Sequence, residues 1–250
     1  MKKIYILPNL FTTGNFFCGL LALLWIFQDR YIPAAFLIIL AMVFDFTDGQ
    51  VARLYHASSR FGVEYDSLAD FLTFGVATTA LAYRVALADL GRFGIAFAFL
   101  YAVMCALRLA RFNTQVKKEE KTDFTGLPCP ISAGIIVSYI IFIHRYNLKN
   151  WEKAVPFLMI ILGVLMVSTY TYPTLLTLKA RRKKPFLYLV AIVLALAIII
   201  FWAEIGLLLA FLSYMSLGLA GAFRHHARKR KAPEGESLPA RNPEGEGPSG

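Results

Sequence analysis

The sequence has few charged residues and few cysteines, and both shortages narrow the class of protein. Only 17% of its 250 residues are charged, whereas 58% are hydrophobic and the mean hydropathy is +0.57. A soluble globular domain carries more charge than this, so the chain is predicted to be an integral membrane protein. The three cysteines lack the spacing of a zinc site or a disulfide framework, and we interpret them as packing residues. They are Cys18, Cys105 and Cys129.

Glycine-rich nucleotide motifs and internal repeats are also missing. The sequence contains neither a Walker-type nor a dinucleotide-type glycine loop, and no segment repeats at a fixed period. The net charge of +10 would suggest nucleic-acid binding in a soluble protein. Here, however, the basic residues lie between and after apolar runs, where they set the orientation of the chain in a membrane. Membrane lipids with anionic headgroups are therefore the expected partners, and nucleic acid is not.

Long apolar runs dominate residues 1–223, which are predicted to form one membrane domain. A helix needs about 20 apolar residues to cross a bilayer, and the runs predict an all-α bundle of about eight transmembrane helices. The predicted helices are 10–27, 31–53, 62–85, 92–113, 128–144, 154–172, 186–203 and 205–223. The first run has no small-residue cleavage site and is expected to stay as a membrane helix. Residues 224–250, rich in proline, glycine and charge, are predicted to be a disordered basic and polar tail.

The basic residues indicate the orientation of the bundle. With the N-terminus inside, most lysines and arginines fall on the inner side, including the run 179–184 and the tail. This bias favours both termini in the cytoplasm. We expect a multi-pass protein of a prokaryotic cell membrane, with the active site on the cytoplasmic side. The connection around Arg145 runs against the bias, since it places three positive charges outside.

Four aspartates stand inside the apolar runs between positions 45 and 70. A carboxylate at membrane depth costs roughly 2.5 to 3.5 kcal/mol on insertion scales, so a cluster of them marks a functional site with a bound cation as compensation. Asp45 and Asp48 are three residues apart, and Asp66 and Asp70 are four apart, so each pair lies on one helical face. Such hard oxygen ligands suit Mg²⁺ or Mn²⁺, and four carboxylates can hold two cations beside substrate phosphates.

The residues around the aspartates suit a substrate that contains phosphate. Gly49 and Ala52 have little bulk, which allows a flat or large group to approach the helix. Arg53 adds a cation about one turn on, whose planar fork matches phosphate oxygens, and Ser59 adds a hydrogen-bond donor. Each residue also has an ordinary explanation, because small residues pack membrane helices and a terminal arginine extends to the interface.

The pattern Asp45-x2-Asp48-Gly49-x2-Ala52-Arg53-x8-Gly62-x3-Asp66-x3-Asp70 resembles the complete signature of the CDP-alcohol phosphatidyltransferases. The resemblance implies a homodimeric bundle of membrane helices that transfers the phosphatidyl group of a CDP-linked lipid to an alcohol and releases CMP. It implies that all four aspartates bind two divalent cations and that Asp70 is also the general base. The positions expected along CDP-diacylglycerol are Asn9, Thr12, Asp48, Gly49, Ala52, Arg53, Ser59 and Gly62.

Further stretches resemble the membrane-integral phosphatidylserine synthase branch of this family. They are Pro8–Thr12 with Gly14-Asn15, Asp66–Val76, Arg108–Asn113 and Phe124–Pro128. This branch implies L-serine as the acceptor, whose hydroxyl would face Asp70. We expect the serine carboxylate to be bound by Arg108, Arg111 or both, with Asn113 or Thr125 as a further contact. Membrane orientation and the helix dipole also favour arginines at these positions.

Other functions stay open on the sequence alone. Within the family, glycerol 3-phosphate or an inositol phosphate is an alternative acceptor, and the basic residues do not exclude it. Outside the family, ion-coupled carriers also bind cations with buried aspartates, although no inverted repeat or interrupted helix pair is evident here. We expect the acceptor to attack phosphorus directly, because no distinctive nucleophile except His56 stands beside the aspartates.

Overall fold

The computed structural model describes residues 6–55, 59–116, 124–168, 171–172, 205–209, 211–213 and 215–216, and these residues are almost entirely helical. The α-helices are α1 (Ile6–Phe27), α2 (Tyr31–Leu54), α3 (Arg60–Asp70), α4 (Thr78–Ala82), α5 (Arg92–Val116), α6 (Cys129–Arg145) and α7 (Val155–Val167). A 3-10 turn, Lys149–Ala154, leads into α7. Two short strands, β1 (Phe124–Thr125) and β2 (Thr171–Tyr172), pair in antiparallel orientation.

α3 and α4 belong to one long span, Arg60–Leu90, that changes its helical type and is called the third span below. Between Arg60 and Leu90 the chain passes through two π-helical segments, Phe71–Ala77 and Tyr83–Leu87, and ends in a 3-10 turn, Ala88–Leu90. The predicted helix 62–85 lies within this span, which is longer at both ends. The first π-helical segment starts directly after Asp70. Such segments are frequent at functional sites.

The described residues include five helices that are long and apolar enough to cross a membrane. They are Pro8–Phe27, Tyr31–Leu54, Arg60–Leu90, Arg92–Thr114 and Asn150–Val167. α6 is apolar as well but has only 17 residues. Because helices satisfy their own backbone hydrogen bonds, they are the form in which such apolar segments cross lipid. The protein is a polytopic, helical integral membrane protein.

The count of eight helices stays a prediction. The predicted seventh helix, 186–203, and the predicted tail, 224–250, lie outside the described residues. The predicted eighth helix is represented by helical residues between 205 and 216, of which Phe211, Leu212 and Met215 pack against the core. The division of the chain after residue 223 is equally a prediction.

The predicted sixth helix, 154–172, was wrong at its C-terminal end. α7 ends at Val167 because Ser168 takes extended backbone angles, with φ −59° and ψ 160°. The chain then forms β2, which pairs with β1 at the start of the segment that leads to α6. Gly126, with φ +84°, turns this segment so that the amide of Leu127 donates to the carbonyl of Leu165 at 3.0 Å. The ladder ties the beginning of α6 to the end of α7.

Small residues allow the helices to pack closely. Alanines on α1, α2 and the third span are fully buried among larger side chains such as Phe74, Leu81 and Tyr101. Gly19 on α1 lies so near Thr73 that a Cβ there would be 2.2 Å from the threonine hydroxyl oxygen. Close approach of this kind supplies the van der Waals contact that holds membrane helices together. The three cysteines are buried and free, as expected of packing residues.

The connection between α1 and α2 is fastened to the third span at the opposite end of the bundle from the aspartates. Asp29, at φ +59°, accepts a hydrogen bond from the Tyr31 hydroxyl at 2.6 Å and pairs with Arg84. Two hydrogen bonds hold the pKa of Asp29 below its usual value. The bond from Tyr31 has the larger effect, and the bond from Arg84 has the next largest. The carboxylate therefore stays ionised at neutral pH.

We expect Gly126→Ala to destabilise the protein more than Gly91→Ala. Both glycines have positive φ, so either change strains the backbone, at a cost of about 1–3 kcal/mol. A Cβ at position 126 would also lie 2.2 Å from the carbonyl oxygen of Met166, whereas one at position 91 meets nothing within 4 Å. Thermal unfolding in detergent should therefore give the lower midpoint for Gly126→Ala. Equal midpoints would contradict this account of the turn.

Candidate active site

α2 and α3 each carry two of the four aspartates. Asp45 and Asp48 belong to the second half of α2, and Asp66 and Asp70 belong to α3. Their faces meet, since Asp45 is a close neighbour of Asp48 and Asp70, and Asp66 is a close neighbour of Asp48. Asp48 and Asp70 are buried, at 5% and 7% exposure, and the other two are half-buried. The structure therefore brings all four carboxylates into one region of the bundle.

Asp45, Asp48 and Asp66 form a carboxylate triad that can bind a metal ion. One oxygen from each lies within 4.8 Å of the other two. Asp66 Oδ1 is buried and has no hydrogen-bond partner among the described residues. Three carboxylates this close repel one another unless a cation or proton lies between them. The all-oxygen donor set and the unpartnered oxygen fit Mg²⁺ or Mn²⁺.

α1 supplies one buried hydrogen-bond donor to each of two aspartates. Thr12 Oγ1 donates to Asp48 Oδ2 at 2.8 Å, and Asn15 Nδ2 donates to Asp70 Oδ1 at 3.0 Å. Thr12 was among the residues predicted from the sequence, whereas Asn15 was given no role. The available signal was the position of Asn15, three residues after Thr12 and therefore on the same face of α1.

A cleft of about 140 Å³ opens beside the triad, between α1, the end of α2 and the start of α3. Arg53 is not among the described residues that line it. One guanidinium nitrogen of Arg53 nevertheless lies 3.8 Å from the place that a Cβ on Gly49 would take, at the edge of the cleft. The described lining contains the other positions predicted for CDP-diacylglycerol, together with Pro8, Val63 and Asp66. Those predicted positions are Asn9, Thr12, Asp48, Gly49, Ala52, Ser59 and Gly62.

Gly62 lets the first turn of α3 approach α1. Its amide donates to Oγ of Ser59, the N-cap of α3, at 2.9 Å. A Cβ on Gly62 would lie 3.1 Å from that oxygen and 3.2 Å from Oδ1 of Asn9. A larger residue would therefore push the capped turn away from Asn9. His56, just before this turn, lies outside the described residues.

Arg108 is a buried cation on α5 that reaches toward the aspartates. It is 8% exposed, and its Nε donates to the carbonyl of Leu127 at 2.9 Å. The centre of the guanidinium lies 5.8 Å from the ring centre of Phe112, within the range of a cation–π contact. Its charge acts on Asp45 and on Cys129. Of the four residues expected to bind a serine carboxylate, Arg108 is the one that the structure brings near the carboxylates.

Arg111 and Thr125 lie at the ladder between α6 and α7. Arg111 Nη1 donates to the carbonyl of Val167 at 3.1 Å, with the carbonyl of Ser168 at 3.4 Å. The backbone of Thr125 pairs with that of Thr171 in the ladder. Arg111 therefore satisfies carbonyl groups that the end of α7 leaves without helical partners.

Asn113 connects α5 with α3 on a different face from the aspartates. Its Oδ1 accepts a hydrogen bond from the Ser67 hydroxyl at 3.1 Å, and its Nδ2 donates to Glu64 at 3.0 Å. The expected serine-binding residues are thus engaged at three separate places in the described structure. They do not form one cluster there.

Fold and site together define the class of protein. Apolar helices form the bundle, and carboxylates gather beside a cleft at one end of it. Ionisable residues inside a membrane protein mark its functional site. The arrangement is that of a polytopic membrane protein whose acidic cluster could hold a metal ion beside a cleft.

The family follows from comparison with known proteins. The model of the family described as CDP-alcohol phosphatidyltransferase matches residues 5–214. The chain belongs to the CDP-alcohol phosphatidyltransferase family and is a membrane transferase of phospholipid biosynthesis. The family expected from the aspartate signature is confirmed, and the alternative of an ion-coupled carrier is set aside.

Curated relatives carry more specific names. A Helicobacter pylori protein named CDP-diacylglycerol--serine O-phosphatidyltransferase is 35% identical over 192 residues, which cover 76% of this chain and 81% of the relative. A Bacillus subtilis protein of the same name is 38% identical over 171 residues, or 67% of this chain and 89% of the relative. Archaetidylserine synthase of Methanothermobacter thermautotrophicus is 36% identical over 169 residues, covering 67% of this chain and 69% of the relative.

We expect the purified protein to bind Mn²⁺ and Asp66→Asn to bind it at least about tenfold more weakly, because an anionic ligand becomes neutral at constant shape. The unbound Mn²⁺ signal in an electron paramagnetic resonance titration measures the affinity. Asp89→Asn is the matched control, since Asp89 is exposed in the 3-10 turn at the far end of the span. Equal affinity in Asp66→Asn and the wild type would contradict the assignment of the triad.

Proposed function

We propose that the protein transfers the phosphatidyl group of CDP-diacylglycerol to the hydroxyl of L-serine, giving phosphatidylserine and CMP. The main support for the proposal is the cleft, which is lined by positions predicted to bind the CDP-lipid and bordered by the triad. The names of the relatives support serine as the acceptor. The stretches that resemble the serine-using branch outside the signature support the same acceptor.

The surroundings of the cleft suit a lipid substrate. Leu10 and Phe61, the chain neighbours of the lining residues Asn9 and Gly62, are 64% and 70% exposed. In a membrane protein such large apolar side chains face lipid. Acyl chains leave the bilayer only at a high cost in free energy. We therefore propose that the cytidine diphosphate enters the cleft while the diacyl tails remain in the bilayer.

We assign the binding of two divalent cations, Mg²⁺ or Mn²⁺, to the aspartates. Asp45, Asp48 and Asp66 would be the principal ligands, and Asp70 would contribute to the same site. When bound, these cations offset the charge of the pyrophosphate and of the departing CMP. Arg53, at the edge of the cleft, would bind phosphate oxygens with its planar guanidinium.

We assign the role of general base to Asp70. The serine hydroxyl has a pKa far above neutral, so passing its proton to a positioned carboxylate during attack lowers the barrier. The serine oxygen forms a bond to the phosphatidyl phosphorus, and the bond from that phosphorus to the bridging oxygen breaks. CMP leaves with the bridging oxygen, and the proton ends on Asp70. This is a single displacement without a covalent enzyme intermediate.

We assign the serine carboxylate to Arg108. Its burial and its closeness to Asp45 support this role. Arg111 and Asn113 hold backbone and side-chain partners elsewhere, so we give them structural roles. The cytoplasmic orientation of the site and both termini, the eight-helix domain and the homodimer belong to the proposal as well. The distribution of basic residues and the family resemblance support them.

Release of CMP from CDP-diacylglycerol tests the acceptor. Purified protein with Mg²⁺ or Mn²⁺ is expected to release CMP when L-serine is added, and not when glycerol 3-phosphate or an inositol phosphate is added instead. Phosphatidylserine should form in equal amount. Release with glycerol 3-phosphate alone would overturn the serine assignment, and release with none of the acceptors would overturn the transfer reaction.

The two arginines of α5 should respond differently to substitution by lysine. Arg108→Lys keeps the charge but loses the planar fork, and we expect the KM for serine to rise about ten- to hundred-fold. The KM for CDP-diacylglycerol should stay near that of the wild type. Arg111→Lys is the matched control and should leave the KM for serine almost unchanged. The assignment fails if Arg111→Lys raises this KM as much as Arg108→Lys does.

A further inference from the structure

We propose that Asn15 is a positioning residue that holds Asp70 in the orientation in which it takes the proton of the acceptor hydroxyl. The inference rests on the proposed function, because it concerns the base of that reaction. Asn15 lies outside the aspartate signature, and it is not among the described residues that line the cleft. Its role therefore differs from that of a nucleotide-binding residue.

The contact between the two side chains restrains the carboxylate of Asp70. Asn15 is fully buried, and its Nδ2 donates to Asp70 Oδ1 at 3.0 Å. A carboxylate accepts and does not donate, so the amide nitrogen is the end that faces it. Hydrogen bonds to an ionised group are short and strong. Because Oδ1 is engaged, rotation of the carboxylate is restricted.

Asn15 is also distinctive among the neighbours of Asp70. The titratable groups that act on Asp70 are the other three aspartates and the thiol of Cys129. None of these carries a positive charge. Within the described part of the chain, the Asn15 amide is the neutral donor that faces Asp70 amid acidic groups. Without the Asn15 amide, repulsion from the neighbouring acidic groups would set the orientation of the Asp70 carboxylate.

The position of Asn15 is fixed by the segment that follows Asp70. The backbone carbonyl of Asn15 accepts a hydrogen bond from Thr73 Oγ1 at 3.2 Å. The carbonyl of Thr73 accepts one from Thr78 Oγ1, also at 3.2 Å. One turn along α1, Gly19 permits close contact with Thr73. α1 and the helix that carries Asp70 are therefore held in register at this contact, as a positioning role requires.

The other end of the Asn15 amide is unsatisfied. Asn15 Oδ1 is buried and has no hydrogen-bond partner among the described residues. Buried polar atoms without partners are uncommon because each one lowers stability. An amide that served packing alone could be replaced by an apolar side chain without this cost. The presence of asparagine despite this cost indicates that its Nδ2 donor serves Asp70.

Thr12 and Asn15, both on α1, therefore support different parts of the site. Thr12 lines the cleft and donates to Asp48, so its loss should affect binding of the CDP-lipid. Asn15 donates to Asp70 outside the described lining of the cleft, so its loss should affect the chemical step. A positioning residue for the base lowers kcat and leaves substrate binding nearly unchanged.

Asn15→Leu separates the hydrogen bond from packing, because leucine has nearly the shape of asparagine but no donor. We expect kcat with L-serine to fall roughly ten- to hundred-fold, as for loss of a hydrogen bond to a charged group. The KM for CDP-diacylglycerol and the Mn²⁺-dependent binding of CDP, measured by calorimetry, should change less than about threefold. Asn15→Ala should behave in the same way.

Ser138→Ala is the control for loss of a buried polar group. Ser138 is buried on α6 and its hydroxyl bonds carbonyls of its own helix, so kcat should be unchanged. Thr73→Val removes the hydroxyl that holds the Asn15 carbonyl and should lower kcat by a smaller factor than Asn15→Leu. CDP binding identifies the folded fraction of each variant, and kcat is expressed per folded protein.

The proposal is overturned if Asn15→Leu retains wild-type kcat while Asn15→Ala is slow, since packing would then explain the residue. It is also overturned if kcat stays within about twofold of the wild type in both variants, or if the loss appears only in the KM for the lipid. Should Asn15→Leu bind no CDP, Asn15→Ala decides by the same criteria. Wild-type protein that releases no CMP with any acceptor would instead overturn the proposed function.

Discussion

Four carboxylates inside a membrane bundle are the constraint on which the rest of the site depends. Each one is costly at membrane depth, and the described structure compensates them by several means. α1 donates hydrogen bonds to Asp48 and Asp70. Arg108 brings a positive charge from α5. The triad itself keeps an unpartnered oxygen for a cation. Gly62 and the Ser59 cap of α3 place Asp66 and Asp70 opposite the aspartates of α2.

Under the proposed function, the same arrangement separates binding from chemistry. The cleft side of the cluster carries small residues together with Ser59, and Arg53 lies nearby. These residues suit a nucleoside diphosphate. The other side carries Asp70, with Asn15 on one oxygen and a π-helical segment immediately after it. With Asp70 as the proposed base, an acceptor hydroxyl bound there would lie beside the cleft that is proposed to hold the CDP-lipid. This geometry suits direct displacement, in which nucleophile and leaving group lie on opposite sides of phosphorus.

Much of the fold was predictable because it depends on local chemistry. Apolar length predicted α1, α2, α5 and α6 closely, and the three- and four-residue spacings predicted the faces of the aspartate pairs. The π-helical segments and the end of α7 depend on tertiary contacts that hydropathy does not encode. Asn15 was missed for the same reason, since its partner lies 55 residues away. Arg108, Arg111 and Asn113 are close in sequence but face different elements, which their spacing along the chain does not show.

In the proposed reaction, the aspartates hold a divalent cation against the pyrophosphate of a CDP-lipid. Phosphorus-31 electron–nuclear double resonance on Mn²⁺ bound to the protein with CDP-diacylglycerol tests it most directly, because the coupling reports phosphate oxygens on the metal itself. We expect a phosphorus coupling that appears with the lipid and disappears when Asp45, Asp48 and Asp66 are replaced by asparagine. Bound Mn²⁺ without phosphorus coupling in the wild-type complex would contradict it.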